Sequence, residues 1–252
     1  MLCLAAVFVS PSLGDAPDNA LFSAVLAAEV TGGRVDYEGL RGDPRFITYL
    51  GQIAATDPEL LATAEEQLAF WLNAYNAYTL KLIVDRRPEK SITEIGDGGT
   101  APGALPKTTP WDLRFADIGG KKYTLNEIEH EVIRRRFKDA RAHFALNCAS
   151  VSCPPLRPEA YSATRLDQQL DEQGRQFLRD GDRNRFDLAS HTAWLSSIFL
   201  WYQKDFGQDE RAMLLAAAQY ASEGVRRAIE SDPAAWTVKY LDYDWSLNAA
   251  KR

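Results

Sequence analysis

The feature that most constrains the fold is a run of aromatic and aliphatic residues between positions 66 and 84. It follows Thr63-Ala-Glu-Glu66, a capping box in which the Thr hydroxyl accepts from the third amide and the Glu carboxylate returns to the Thr amide. The sequence therefore predicts a helix from Glu66 to about Val84. A helix that is apolar on every side is buried, so we expect the rest of the chain to pack around this one. The apolar residues of the run are Leu68, Phe70, Trp71, Leu72, Tyr75, Tyr78, Leu80, Leu82 and Ile83.

Two amides interrupt this apolar run. Asn73 and Asn76 are three residues apart and therefore lie on one side of the helix. Buried amides need hydrogen-bond partners. Either the two side chains hold the backbone of a neighbouring loop, or they face a site, where they bind substrate or orient a catalytic histidine.

The remaining patterns alternate short helices with short strands. Gly119-Gly120 is a hairpin signal, and the Gly- and Pro-rich segment Ile95–Pro110 predicts an exposed loop. We expect an α+β fold in which buried helices pack on a small, mostly antiparallel sheet, as a single domain over residues 15–252. The other predicted helices are Asn19–Glu29, Asp43–Ala55, Leu125–Phe137, Arg165–Arg179 and Arg211–Ile229. The predicted strands are Trp111–Ile118, Lys122–Tyr123, His143–Asn147, Asn184–Leu188, Thr192–Ile198 and Val238–Leu247.

Composition restricts the classes of partner. Hydrophobic residues make up 46% of the chain and charged residues 25%, which permits a sizeable core. The formal net charge is -6, and no basic patch interleaves with aromatic residues, which argues against nucleic acid and anionic membranes. The sequence has no later run of 18 apolar residues, so no transmembrane segment is predicted. The expected partner is a small-molecule or peptide substrate, and the oligomeric state stays open.

The N-terminus carries a possible targeting signal. Leu2–Val9 is apolar and is followed by the small-x-small triplet Ser12-Leu13-Gly14, which predicts a truncated signal peptide over residues 1–14 and a periplasmic or secreted protein. The positively charged segment of such a peptide is missing, so a loose apolar tail on a cytoplasmic protein is the alternative. Cleavage would remove Cys3 and leave Cys148 and Cys153, which can pair in an oxidising compartment.

The segment Arg141–Pro155 concentrates residues capable of chemistry, with one of three histidines and two of three cysteines. His143–Asn147 resembles a strand, and the following small residues end at Pro154-Pro155, which cannot continue a ladder. A turn of this kind would present Cys148 at a sheet edge. Three states are open for Cys148: a reactive thiol, an inert buried thiol, or a disulfide with Cys153.

A thiol nucleophile needs a base within hydrogen-bonding reach. His143 is close in sequence, but five residues of extended strand span about 16 Å and an odd offset puts the side chains on opposite faces. His130, on the preceding helix, has no such restriction and is the predicted base. His191 lies among polar residues, which predicts a surface position.

Glu129 and Arg136 fall in the middle of the apolar stripe of the predicted helix Leu125–Phe137. A carboxylate there is costly unless it is paired. The two residues either form an ion pair that anchors the helix, or Glu129 orients a group beside it, such as His130 through an intervening group.

A metal site and two further aspartates are the remaining candidates. A metal site built from His130, His143, Cys148 and Cys153 is disfavoured by the wide Cys-x4-Cys spacing, and neither a metal nor a cofactor is predicted. Asp242 and Asp244, which alternate with aromatic residues, either line the same cleft or decorate a strand.

Five motifs in order resemble the bacterial members of the "domain of unknown function 547" (DUF547) family. The resemblance spans about residues 34–248, and the family's pattern includes Asn73, Asn76, Glu129, His130, His143 and Cys148. Because bacterial members often look exported, the resemblance favours the signal peptide; it implies no activity. The motifs are Phe70–Tyr78, Leu125–His130, His143–Leu156, Leu195–Tyr202 with Asp205-Phe206, and Tyr243–Asn248.

Two hypotheses of function follow. The first is a thiol-dependent hydrolase or acyl transferase for peptide or amide bonds, in which Cys148 attacks, His130 transfers the proton, and Glu129 or an Asn amide orients the histidine. In this hypothesis His143, with Asn73 and Asn76, binds substrate. The second is a non-catalytic binding domain of the cell envelope with bonded or buried cysteines.

Overall fold

In a computed structural model, the protein is described over residues 16–96 and 108–250. The apolar N-terminal run, and with it the predicted signal peptide, lies outside the described residues. So does most of the predicted loop Ile95–Pro110. The described residues form one compact α+β domain, with its core organised around helix α4, Ala64–Arg86.

Helix α4 has the capping box that the sequence predicts. The Thr63 hydroxyl accepts from the amide of Glu66, and the Glu66 carboxylate accepts from the amide of Thr63. Nearly every residue from Leu68 to Ile83 is buried. The helix is therefore covered on all sides, as its uniformly apolar surface requires.

Three N-terminal helices cover part of α4. They are α1 (Asn19–Glu29), α2 (Tyr37–Gly42) and α3 (Pro44–Ala55). Each begins after an aspartate whose carboxylate accepts backbone N–H groups of the first turn, which satisfies donors that have no partner inside the helix. Together with α4 they build the first of two hydrophobic clusters.

The strands form three small sheets. β1 (Val30–Thr31) pairs antiparallel with β2 (Arg34–Val35), and β3 (Ala116–Ile118) with β4 (Lys121–Tyr123). The β3–β4 turn is the predicted Gly119-Gly120, where φ is 56° and 73°, values that favour glycine. In the third sheet, β6 (Thr192–Leu195) lies between β5 (Arg185–Asp187, antiparallel) and β7 (Thr237–Tyr240, parallel). The predicted α+β class with mostly antiparallel pairing is confirmed.

The second hydrophobic cluster lies in the C-terminal half. Its helices are α6 (Leu166–Leu178), α7 (Ser197–Trp201), α8 (Gln203–Phe206), α9 (Glu210–Ala218) and α10 (Glu223–Ser231). The prediction of a single helix over Arg211–Ile229 was wrong. Helix α9 ends at Ala218, and Ser222, which has extended backbone angles, is the N-cap of α10, a position that serine favours.

Residues Glu127–Phe137 form a π-helix, with i→i+5 hydrogen bonding. Thr124 opens it with a second capping box, in which the Thr124 hydroxyl accepts from the Glu127 amide and the Glu127 carboxylate accepts from the Thr124 amide. Two residues seven positions apart share a face in an α-helix, but the wider turn of a π-helix places them on different faces. Glu129 is consequently buried while Arg136 is exposed and pairs with Glu59 at 2.5 Å. The predicted ion pair between Glu129 and Arg136 was wrong.

The predicted strand His143–Asn147 was also wrong. Residues Ala142–Ala145 form the short helix α5, and all four are buried. The turn starts at Asp139, whose carboxylate accepts from the Arg141 amide and whose carbonyl accepts from the Ala142 amide. A short apolar run fits a buried helix and a buried strand equally well, and here the upstream aspartate decides in favour of a helix.

Candidate functional site

A cleft of about 270 Å³ opens between the two hydrophobic clusters. Residues of both clusters form its walls, since Tyr75 and Leu146 belong to the first and Ile198 to the second. Aromatic rings provide most of the lining, and the polar groups among them are few. The lining residues are Tyr75, Trp111, Asn126, Glu129, His143, Leu146, Cys148, Cys153, Ile198, Trp201, Tyr202, Tyr243 and Trp245.

Asn76 fixes the chain that leads into Cys148. Its Nδ2 donates to the carbonyl of Ala145 at 2.9 Å, and its Oδ1 accepts from the amide of Asn147 at 2.9 Å. Asn147 then closes the turn, because its Oδ1 accepts from the Ala149 amide and its Nδ2 donates to the Pro154 carbonyl. Ala149 has φ of 61°, a left-handed conformation that costs a non-glycine residue about 1 kcal/mol. The hydrogen bonds on both sides hold this strained turn in place.

The C-terminal segment holds the other side of the turn. The amide of Val151 donates to the Ser246 carbonyl at 2.8 Å, and the amide of Asn248 donates to the Ala149 carbonyl at 3.1 Å. This pairing brings Tyr243 over the cysteines, with its hydroxyl 3.2 Å from the sulfur of Cys148 and of Cys153.

Cys148 and Cys153 form a disulfide, with Cα atoms 6.1 Å apart, a usual separation for such a bond. Of the three states that the sequence leaves open, this is the one recorded in the structure. Cys148 is half-buried and Cys153 is buried. A nucleophilic role for Cys148 therefore requires that the disulfide first be reduced.

His143 lies in the cleft wall with the disulfide. Its Nε2 is 2.7 Å from Oδ2 of Asp205, and its ring stacks on Tyr202 with centroids 4.0 Å apart. The hydrogen bond from His143, and then the one from Arg134, hold the pKa of Asp205 well below its usual range. The ionised carboxylate only accepts, so Nε2 of His143 carries a proton. Among the described residues no group hydrogen-bonds Nδ1, which leaves that nitrogen available as a base.

Only a regular strand would point the side chain of His143 away from that of Cys148. Because α5 is helical, both residues line one cleft. His130, the predicted base, does not line the cleft. Nη1 of Arg134 is 2.9 Å from Nδ1 of His130, and since a guanidinium only donates, Nδ1 accepts and the imidazole is neutral.

Glu129 does line the cleft and is buried. Its carboxylate is 4.0 Å from Nδ1 of His130, which is too far for a direct hydrogen bond, so a role in orienting that histidine would need an intervening group and stays a prediction. It faces the hydroxyls of Tyr75 and Tyr202 instead. Burial first, and then the Glu129 carboxylate, raise the pKa of both tyrosines, which therefore stay protonated donors at neutral pH.

Neither asparagine lines the cleft. Asn73 donates from Nδ2 to the Tyr161 carbonyl and accepts from the Tyr161 amide, both at 2.8 Å. Both amides therefore hold backbone, the first of the two roles considered for them. Substrate binding by Asn73 and Asn76 stays a prediction without a contact to support it.

Sequence reasoning assigned no role to Asp205 or Arg134. Asp205 is the one carboxylate in the aromatic run 199–206, and that isolation was the available signal. Tyr243 and Trp245 line the cleft, whereas Asp242 and Asp244 between and beside them do not. His191 is exposed, as predicted.

Within residues 16–96 and 108–250, no group of three or more His, Cys, Asp or Glu side chains is placed to hold a metal ion. None of the helices described there combines the length and the apolarity needed to cross a membrane.

A family model described as "Protein of unknown function, DUF547" matches residues 42–178, more than half of the chain. The chain belongs to the DUF547 family. The match covers both asparagines, the π-helix, His143 and the disulfide, and it ends before Asp205, Tyr243 and the other C-terminal residues of the cleft. No curated protein and no solved structure matches the chain.

Proposed function

We propose that this DUF547 protein is a thiol-dependent hydrolase or acyl transferase for peptide or amide bonds. Cys148 is the nucleophile, His143 the base and Asp205 the group that orients the base. The observation that carries the proposal is His143, which lines the same cleft as Cys148 and is held through Nε2 by Asp205, while none of the described residues hydrogen-bonds its Nδ1. A nucleophile, a base and a third group that orients the base are the parts such chemistry needs. The base is thus His143 rather than His130.

The cycle begins with reduction. An external dithiol breaks the Cys148–Cys153 bond, becoming a disulfide itself and leaving two thiols. Nδ1 of His143 takes the Cys148 proton, and the sulfur attacks the carbonyl carbon. The amine leaves with that proton, which gives a thioester on Cys148. Water then attacks through the same nitrogen and restores the thiol; if an amine attacks instead, the acyl group is transferred.

The test uses p-nitrophenyl acetate with intact-mass detection of the acyl-enzyme. Wild type reduced with dithiothreitol and the Cys153→Ser variant should acetylate at Cys148, whereas oxidised wild type and Cys148→Ser should not. His143→Ala should slow acetylation by roughly 10²-fold, and the matched His130→Ala variant should change it by less than about threefold. Equal rates for the two histidine variants, or an unchanged rate in Cys148→Ser, would refute the proposal.

The disulfide itself favours a second candidate, a non-catalytic binding domain of the cell envelope. In that case the bond is a permanent staple, and the aromatic cleft recognises a partner. Iodoacetamide titration across pH separates the two. After mild reduction, one fast-alkylating thiol with a depressed pKa supports the enzyme. A disulfide that resists mild reduction supports the binding domain.

We also propose that the protein is exported, to the periplasm or outside the cell. The support is the Cys148–Cys153 disulfide, because such bonds persist in oxidising compartments and are rare in the cytosol. Expression of the full chain in bacteria, with fractionation and mass analysis of the N-terminus, tests this. Cleavage after Gly14 is expected; an intact, reduced protein in the cytosol would establish the cytoplasmic alternative.

A further inference from the structure

We infer that the cleft binds the ammonium group of an amine, such as a lysine side chain or a peptide N-terminus, between Glu129 and a wall of aromatic rings. As a statement about substrate the inference rests on the proposed function, yet binding itself needs no chemistry at Cys148. Two independent features of the cleft carry it.

The first feature is the aromatic wall. Trp111, Trp201, Tyr243 and Trp245 form a continuous set of ring contacts, with centroid separations of 5.6 Å for Trp111–Trp245, 4.8 Å for Trp201–Tyr243 and 4.6 Å for Tyr243–Trp245. Trp201 is 47% exposed, which is unusual for so large an apolar side chain and typical of a ligand-binding surface. Aromatic faces attract cations, Trp most strongly.

The second feature is the carboxylate of Glu129, which is only 7% exposed and borders the same cleft. A buried charge needs a compensating partner. In residues 16–96 and 108–250 neither a lysine nor an arginine forms an ion pair with it; its one ionisable neighbour at ion-pair range is His130, 4.0 Å away. His130 is neutral, because its Nδ1 accepts from Arg134.

Arg134 acts on Glu129 electrostatically from outside the cleft lining but forms no ion pair with it. Its guanidinium is bonded to Asp205 at 2.6 Å and 3.1 Å, and it lies over the Tyr202 ring at 4.8 Å. It is not among the residues that line the cleft. The Tyr75 and Tyr202 hydroxyls therefore face a negative charge to which the cleft itself brings no counter-ion.

The lining selects the sign of the ligand. Apart from Glu129 and His143, whose Nε2 is held by Asp205, no described lining residue is ionisable below the range of the tyrosines. An anionic group would meet the Glu129 carboxylate with no cation in the lining to balance it, and a purely apolar group would leave that carboxylate with hydroxyl donors alone in the cleft. A cleft of about 270 Å³ admits an ammonium group with a short chain or a single ring.

The experiment compares benzylamine, benzyl alcohol and benzoate, which share one ring and carry positive, no and negative charge. Binding is measured by NMR line shifts and Trp fluorescence at pH 7 on the Cys148→Ser variant, which cannot form an acyl-enzyme. Benzylamine should bind at least tenfold more tightly than benzyl alcohol, and benzoate least. Glu129→Gln should abolish the preference for benzylamine and leave the affinity for benzyl alcohol unchanged. The control Glu131→Gln, at an exposed site, should keep the preference for benzylamine.

Equal affinity for benzylamine and benzyl alcohol in the parent protein would overturn the inference, even if Glu129→Gln fails to fold. A second variant, Trp201→Leu, should lower the affinity for benzylamine severalfold. The substitution removes no buried side chain. The two proposals fail separately. Preference for benzylamine without acetylation of Cys148 in reduced wild type would refute the proposed enzyme alone. Acetylation without that preference would refute the ammonium site alone.

Discussion

His143 and His130 lie on neighbouring helices, and both are connected to the carboxylate of Asp205, by opposite means. His143 donates from Nε2 directly to Asp205. His130 accepts at Nδ1 from Arg134, which is itself bonded to Asp205. The same carboxylate thus keeps the proton on Nε2 of His143 and, through a guanidinium, keeps Nδ1 of His130 unprotonated. The partner of each ring, rather than its place in the sequence, decides which can act as a base.

The two histidines also differ in their access to the cleft. The His143 side chain is 3% exposed and borders the cleft, whereas the His130 side chain is 35% exposed and does not. Tyr202 contacts both rings, with centroids at 4.0 Å and 6.2 Å. We therefore expect loss of the His143 ring to affect Cys148 more than loss of the His130 ring.

The largest expected effect is on the reactivity of Cys148. In a Cys153→Ser background, His143→Gln should slow alkylation of Cys148 by iodoacetamide at pH 7 by roughly 10²-fold, because the thiolate loses its imidazole partner. His130→Gln should change the rate by less than about threefold. The second-order rate constants are measured by quenched mass analysis.

If His130→Gln slowed alkylation as much as His143→Gln, the contrast between the rings would be gone. The base would then act from the π-helix, as the sequence alone suggests. Circular dichroism of each variant checks that neither substitution unfolds the protein.

A smaller effect is expected for Asp205→Asn, which removes the charge common to both histidines. The substitution should lower the free energy of unfolding at pH 7 by about 1–2 kcal/mol, because the partly exposed carboxylate accepts from two cationic or polar donors. The pKa of Asp205 is depressed in the folded state. The stabilisation is therefore complete above the unfolded pKa of about 3.9 and is lost as the pH falls through the lower, folded value.

Urea unfolding of wild type and Asp205→Asn at pH 7, 5, 4 and 3 measures this dependence. The gap between the two proteins should be constant from pH 7 to 5 and narrow only below about pH 4. Asp242→Asn, at an exposed site, is the control and should show no difference from wild type. If the difference in free energy of unfolding grew as the pH fell, the assigned direction of the Asp205 pKa shift would be contradicted.

Local chemistry made part of this molecule predictable. The capping box at Thr63 and the uniform apolarity of the following run led to helix α4, and paired glycines led to the β3–β4 turn. The burial of Asn73 and Asn76 followed from the same helix. Each of these depends on residues within a few positions of one another, where propensity and periodicity are informative.

The site itself depended on contacts that local patterns do not contain. The Asp205–His143 hydrogen bond joins residues 62 positions apart. The π-helix has no distinguishing composition, and counting residues on an α-helical wheel put Glu129 and Arg136 on one face. The run after Arg141 is short enough to fit either a helix or a strand, and the error in that choice made His130 rather than His143 the predicted base.

The smallest effect, and the sharpest test of how separate the two histidines are, concerns Arg134. Arg134→Gln removes the donor to His130 and one partner of Asp205 but leaves the Asp205–His143 bond. The free energy of unfolding should fall by only about 0.5–1 kcal/mol, as for other exposed pairs, and alkylation of Cys148 should change by less than about threefold. Long-range ¹H–¹⁵N spectra should show His130 lose its single tautomer while His143 keeps the proton on Nε2. The control is Arg135→Gln, which breaks an exposed pair with Glu131 and should leave both rings unchanged. If His143 responded as strongly as His130, Arg134 would be joining the two rings into one unit, and the division of roles between them would have to be abandoned.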